Sequence, residues 1–288
     1  MDKSVHGSKT IVITGASRGI GRACALVLDR LGFIVFAGVR REIDGAELKT
    51  RASENLTPLI LDITDSASIA QAAHTISDLI ENQGLYALVN NAGIAVAGPL
   101  EFMPLERIRE QFEVNVIGHI AVTQALLPLL RKGKGRIINI SSKEGMLAMP
   151  FIGPYCASKF ALEALSDTLR MELKQWNIPV TVVEPGTIAT EIIEKSIKAA
   201  EETIKRLPHH AIELYDSCFA KALKASDRIA RAAIPVETVA KTVTKALIAK
   251  NPKPRYTVGI DAKVLGVLTR FLPDWMLDRI VLKQLGMG

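Results

Sequence analysis

Residues 10–21 read Thr10-Ile11-Val12-Ile13-Thr14-Gly15-Ala16-Ser17-Arg18-Gly19-Ile20-Gly21. The opening five form a β-branched run that suits a buried strand. Three glycines follow, and then Cys24, Leu26, Val27, Leu28 and Leu31 recur at helical spacing until Gly32 ends the pattern. Strand, glycine turn and helix in that order bring backbone N–H groups and a helix N-terminus to one point. No side chain stands in the way there, so a phosphate can dock. The spacing is GxxxGxG rather than the commoner GxGxxG. For the glycines alone an ordinary tight turn is the competing reading; their place between strand and helix favours phosphate.

The same alternation continues down the chain. Further strands are expected at 33–39, 59–63, 87–93, 135–142 and 178–183, with a last edge strand at 255–259. Helical patterns fill 66–81, 105–130 (with Pro128 expected to kink its end), the stretch after Pro154, and 235–249. Repeated βα units with short links predict an α/β chain: one domain with a Rossmann-type, doubly wound parallel sheet and helices on both faces. Ligands in such sheets bind at the C-terminal strand ends. Gly15, Asn91, Ser142 and Pro185-Gly186 all fall at those ends, and Tyr155 follows one of them.

The end of the second strand selects the nucleotide. A site for NAD carries an acidic residue there to bind a ribose 2′-hydroxyl. This chain has Val39, Arg40 and Arg41, and the planar fork of an arginine matches the oxygens of a 2′-phosphate. NADP(H) is therefore expected over NAD, with Arg18 of the glycine loop able to reach the same phosphate. Against this, Arg40 and Arg41 read equally as solvated loop residues. Asp62 can accept from an adenine amino group or cap the turn that follows, and Gly93 lets a ligand approach the Asn90-Asn91-Ala92-Gly93 turn.

Tyr155-Cys156-Ala157-Ser158-Lys159 opens the helix after Pro154. A four-residue spacing puts Tyr155 and Lys159 on one face, about 6 Å apart along the axis. A phenol has a pKa near ~10, and a neighbouring ammonium is expected to lower it. Such a pair can exchange a proton with an alcohol oxygen near neutral pH, although many surface helices carry a tyrosine and a lysine one turn apart.

Composition narrows the classes. The 288 residues are 48% apolar and 23% charged, a packed globule rather than a disordered chain. The net charge of +6 is scattered without a dense basic tract, which argues against nucleic acid. Three dispersed cysteines predict no disulfide framework, and no His/Cys cluster predicts a metal site. The first residues carry no apolar signal segment and no run of about 18 apolar residues is present, so a cytoplasmic protein is expected. Residues 191–231 are helix-prone, irregular and broken at Pro208-His209-His210, either a lid over substrate or a solvated hairpin. The apolar tail, about 260–288, suits closure of the pocket, a subunit interface or peripheral membrane contact through Trp275.

Together, TGASRGIG at 14–21, NNAG at 90–93, Asn115, Ser142, YCASK at 155–159 and PG at 185–186 resemble the short-chain dehydrogenase/reductase family over roughly residues 9–260. VFAGVR, LDITD and PRYTVGIDAK with the apolar tail look most like the branch of retinol and 17-beta-hydroxysteroid dehydrogenases. The resemblance implies Tyr155 as general acid/base, with Ser142 on the same substrate oxygen. It implies Lys159 on the ribose hydroxyls, lowering the Tyr155 pKa, and Asn115 anchoring a water that relays protons from Lys159. It further implies cofactor contacts from Gly15, Ser17, Arg18, Gly19 and Ile20 at the phosphates and from Arg40 at the 2′-phosphate. Asp62 and Ile63 would meet adenine, Asn91, Ala92 and Gly93 the ribose, and Pro185, Gly186, Thr187 and Thr190 the carboxamide. The expected activity is NADP(H)-dependent interconversion of carbonyl and alcohol on a hydrophobic substrate such as a steroid or retinoid, in a homodimer or homotetramer. A non-catalytic NADP-binding regulatory module is the alternative.

Overall fold

The computed structural model describes residues 9–81, 83–191, 202 and 208–287. Seven strands, β1 (Thr10–Ile13), β2 (Ile34–Val39), β3 (Leu56–Ile60), β4 (Ala87–Asn90), β5 (Arg136–Ile140), β6 (Val180–Pro185) and β7 (Arg255–Val258), form one sheet. Its order is β3-β2-β1-β4-β5-β6-β7, and every pairing is parallel. The order reverses direction between β1 and β4, which is the switch point where a crevice opens.

Alternation along β1 explains the two layers. Ile11 and Ile13 point to one face, where they join Cys24, Ala25 and Leu28 of helix α1 (Gly19–Arg30) and Val239, Val243 and Leu247 of a later helix. Val12 points to the other, against Phe36, Leu88, Ile137 and the apolar sides of α3 (Ser66–Leu79) and α5 (Gly118–Lys132). Fully buried strands of this kind are held by helices on both sides.

Several boundaries differ from the sequence reading, each for a physical reason. β3 begins at Leu56, earlier than expected, and contains Pro58; β3 is an edge strand, where the missing N–H costs no ladder bond. Helix α2 (Glu42–Lys49) was unexpected, because it carries an internal Gly45 and buries little beyond Leu48. The helix expected over 105–130 is α4 (Leu105–Phe112), a π turn at Glu113–Ile117, then α5. Its interruption thus surrounds Asn115, and the helix runs on past Pro128 to Lys132. By length and composition Leu105–Lys132 could cross a membrane, contrary to expectation, yet here it packs on the sheet with Asn115, His119, Val122 and Leu126 buried.

After α6 (Gly153–Glu172) and β6, the chain reaches α7 (His209–Arg231). Pro208 is the N-cap of that helix rather than a break within it; residues 192–201 and 203–207 of the expected lid lie outside the described residues. α8 (Val236–Ile248) packs on α1. The tail forms α9 (Ile260–Phe271) and α10 (Asp274–Leu285).

Candidate active site

The glycine turn is built to be bare. Gly15 adopts φ +64° and a Cβ there would lie 2.8 Å from the Ala92 Cα. A Cβ on Gly21 would come within 2.3 Å of the Gly15 carbonyl oxygen and 2.4 Å of Asn91 Nδ2. α1 starts directly beyond, with Arg18 as an N-cap whose side chain makes no capping bond, so its first N–H groups face the crevice uncapped. Asn91 Nδ2 donates to the carbonyls of Thr14 (3.0 Å) and Gly15 (3.1 Å), while the Asn91 and Ala92 N–H groups donate to Thr14 Oγ1. Thus β4's polar turn braces β1's glycine turn. Thr190 lies beside Gly19, its Cγ2 3.5 Å from where a Cβ would stand.

The arginines take different positions. Arg18 pairs with Glu191 at 2.8 Å, and Arg41 makes two bonds to Asp44, at 2.8 and 2.6 Å. Arg40 is exposed at the end of β2. All three act on Asp44, whose carboxyl is held below the usual range chiefly by its bond to Arg41. Asp62 Oδ1 accepts from the Thr64 N–H and hydroxyl (3.0 and 2.7 Å), capping the turn in this structure. Ile63 packs under Gly118.

At the end of β5, Ser142 lies close enough to Tyr155 to lower its pKa, and the Ser142 hydroxyl donates to Glu144 Oε2. α6 begins with Pro154 in its first turn and turns Ser158, Lys159, Leu162 and Ser166 inward. Lys159 Nζ donates to the Ile140 carbonyl at 2.9 Å and lies 5.7 Å from the Tyr155 ring centre. The one-face arrangement is as the spacing implies, but the expected electrostatics are not. Tyr155 is pushed up, first by burial and next by the Glu144 charge, against a smaller lowering by Ser142. Lys159 is itself pulled down to about 8 by burial, with Glu163 and Glu144 opposing. The cation is spent on a carbonyl and its desolvation, so the phenol stays protonated at neutral pH.

Asn115 lies fully buried in the π turn. Its Oδ1 accepts from Ile94 N–H (2.9 Å), and its Nδ2 donates to the Ile94 carbonyl (3.0 Å) and Ser158 Oγ (3.1 Å). One turn earlier Gln111 repeats the device, accepting from Val96 N–H at 2.7 Å and donating to the Ile94 carbonyl at 2.9 Å. One turn later His119 Nε2 bonds the Ala92 carbonyl at 2.6 Å; burial, with the Lys159 charge adding, lowers its pKa to about 4, so the ring is neutral. Gln111, Asn115 and His119 were not read together in the sequence, although polar residues spaced by four in an apolar helix were the available signal. Also missed was a buried chain in which Asn90 Nδ2 donates to Thr123 and Asn139, and Asn139 to Ser166, tying β4, β5 and α6.

At the end of β6, Asp261 of α9 accepts from the Thr187 N–H (2.8 Å), the Thr187 hydroxyl (3.1 Å) and Lys143 Nζ (2.9 Å). A Cβ on Gly186 would lie 2.0 Å from Asp261 Oδ1, so the glycine lets the tail grip this loop. Pro185 to Thr190 thus border the same crevice. In the segment between β5 and α6, Phe151 sits edge-on to Phe219 of α7 at 5.1 Å, and Leu147 and Met149 pack with Ala225 of α7 and Val281 and Leu285 of α10.

The strand ends therefore bring together a bare glycine turn, the Ser142–Tyr155 corner and, next along the chain, an apolar cluster with α7 and α10. Comparison with known proteins agrees. Residues 9–201 match the family model described as short chain dehydrogenase. The chain is 37% identical over 279 residues, covering 95% of it and 96% of the relative, to an NADPH-dependent 3-dehydrocapnine reductase of Ornithobacterium rhinotracheale. It is 38% identical to human retinol dehydrogenase 5, over 94% of this chain and 87% of that one. A short chain dehydrogenase of Burkholderia cenocepacia solved with NADP superposes with a TM-score of 0.74 at 25% identity, over 98% of this chain and 99% of that chain. With fold, motifs and whole-length relatives in agreement, the chain belongs to the short chain dehydrogenase family of oxidoreductases.

Proposed function

We propose that this protein is an NADPH-dependent carbonyl reductase acting on hydrophobic ketones. The observation that carries the reading is the Ser142–Tyr155 pair at the end of β5, with Tyr155 held protonated by burial and by Glu144. A phenol in that state suits giving a proton to a carbonyl oxygen rather than taking one from an alcohol.

The residues fit a dinucleotide phosphate. The space that a Cβ on Gly15 or Gly21 would fill is kept clear, the N-terminus of α1 is uncapped by side chains, and Arg40 stands exposed at the end of β2. NADP(H), rather than NAD, is also what two of the relatives named above use or hold. Gly15, Ser17, Arg18, Gly19 and Ile20 would hold the pyrophosphate and Arg40 the 2′-phosphate. Asp62, Ile63 and Asn91 to Gly93 would hold the adenosine and ribose, and Pro185, Gly186, Thr187 and Thr190 the carboxamide. When bound, the cofactor supplies the hydride. Tyr155 protonates the substrate oxygen, Ser142 fixes that oxygen, and Lys159 holds ribose hydroxyls while remaining charged. Asn115 keeps the 94–96 loop and α6 in register through Ile94 and Ser158. The inner side of α7 and α10 forms the substrate roof. Their neighbour α9 leaves Ile260 and Phe271 80% exposed, and Trp275 opens α10 63% exposed, which supports peripheral membrane contact by an otherwise cytoplasmic protein.

The test is Tyr155→Phe, assayed for NADPH binding by fluorescence and for turnover of a broad ketone panel. Binding is expected to persist while kcat falls by roughly 10²- to 10⁴-fold. Retention of more than a few per cent of activity would remove Tyr155 from the proton transfer.

A further inference from the structure

Glu144 lies two residues past Ser142, on the short turn Lys143–Gly145, with its side chain only 16% exposed. Its Oε2 accepts the single Ser142 hydroxyl proton. Its charge also reaches Tyr155, Cys156 and Lys159. Oε1 lies 4.0 Å from Lys143 Nζ, beyond hydrogen-bond length. That ammonium is turned instead to Thr187 Oγ1 and Asp261 Oδ2, each at 2.9 Å.

A carboxylate here is a handicap for a simple ketone. A serine hydroxyl has one proton to give, and Glu144 takes it away from the substrate oxygen. An apolar substrate entering under Leu147, Met149 and Phe151 would also strip water from the carboxylate without replacing it, which is costly. A ketone with a protonated amine on the adjacent carbon removes both penalties. Its N–H groups replace Ser142 at Glu144, and the freed Ser142 proton turns to the carbonyl oxygen beside it. The spacing suits this exchange, since vicinal nitrogen and oxygen atoms lie about one hydrogen-bond length apart, as do the two side chains they would meet.

We propose that the site selects hydrophobic α-amino ketones, with Glu144 receiving the ammonium group. The proposal rests on the carbonyl reductase reading and narrows its substrate. The chemistry balances as before: a hydride from NADPH reaches the carbonyl carbon, Tyr155 gives its proton to the oxygen, and the ammonium keeps its own protons. The product is a vicinal amino alcohol.

The experiment compares a long-chain α-amino ketone with the ketone of the same chain lacking nitrogen, by NADPH consumption, in wild type and Glu144→Gln. The wild type is expected to favour the amino ketone in kcat/KM by roughly 10- to 100-fold, the range for a charged hydrogen bond, and Glu144→Gln to lose most of that ratio. Equal use of both ketones by the wild type, or a ratio unchanged in Glu144→Gln, overturns the proposal and leaves carbonyl reduction standing. A binding arm covers the case in which neither ketone is reduced. In the NADP complex, the vicinal amino alcohol should raise the melting temperature more than the plain alcohol does, and Glu144→Gln should erase the gap. That result sustains the ammonium site even if the reductase reading fails; equal shifts overturn it.

Discussion

At the ends of β1 and β4 the crevice wall is main chain: Gly15, Gly21, the carbonyls held by Asn91, and the first N–H groups of α1. At the ends of β5 and β6 it is side chains, and they come from far apart in sequence: Ser142, Glu144 and Lys143 meet Tyr155, Thr187 and Asp261. A main-chain wall recognises any phosphate and tolerates no added atom. A side-chain wall can be re-cut residue by residue while the fold stands. In the proposed function the first wall would hold the cofactor's phosphates, while the second would meet its nicotinamide end and choose the substrate.

The sharpest way to break the first wall is Gly21→Val. A Cβ at 2.3 Å from a backbone oxygen cannot be relieved by a rotamer. Overpacking of this kind costs about 1–3 kcal/mol and more where backbone must move, so about 3 kcal/mol or more is expected in urea denaturation, with NADPH binding lost. A variant that unfolds like wild type would show that the turn has slack.

A smaller effect tests whether nucleotide choice belongs to that wall at all. Arg40→Asp exchanges the exposed arginine at the end of β2 for the acidic residue that suits a 2′-hydroxyl. One charge-assisted phosphate bond is worth about 1.5–3 kcal/mol, so the NADPH-over-NADH ratio of kcat/KM should drop roughly 10- to 100-fold. Arg41, committed to Asp44 at 2.6 Å, should move that ratio little when changed. An unchanged ratio in Arg40→Asp would assign the 2′-phosphate to Arg18 instead.

The two walls also differ in how far they could be read from sequence. Local order sufficed for the first: the β-branched run at 10–14, the glycines, and the arginine after Val39 each report on neighbours within a few residues. The sheet's parallel order followed from the same alternation, and the family motifs were the ground for expecting Ser142, Tyr155, Lys159 and Asn115 to act together. What stayed hidden depends on distance. The Tyr155 pKa reverses because burial, and after it Glu144, outweigh the lowering by Ser142, while the Lys159 ammonium is turned to Ile140. Asp62 is committed to Thr64, a choice its sequence position left open. α2 was missed since a glycine-bearing helix with little apolar face gives no periodic signal. Nothing near Gly186 announces that its partner is a carboxylate 75 residues further on.

That carboxylate gives the gentlest test of the second wall. Burial works to raise Asp261, but its bonds to Lys143 and the Thr187 N–H outweigh this and hold it below the usual carboxylate range. Its side chain is 41% exposed, so solvent screens the pair with Lys143, and only the two bonds to Thr187 count near full value. Asp261→Ala is therefore expected to cost about 1 kcal/mol in urea denaturation, and Asp261→Asn, which can still accept from Thr187, about half of that. If the loop after β6 is held from the tail, Asp261→Ala should also raise KM for ketone and weaken NADPH binding, each by a few-fold, because Asp261 holds Thr187. A KM and a cofactor affinity that both stayed at the wild-type values would mean that the loop keeps its place without the tail, and would take Asp261 out of the wall.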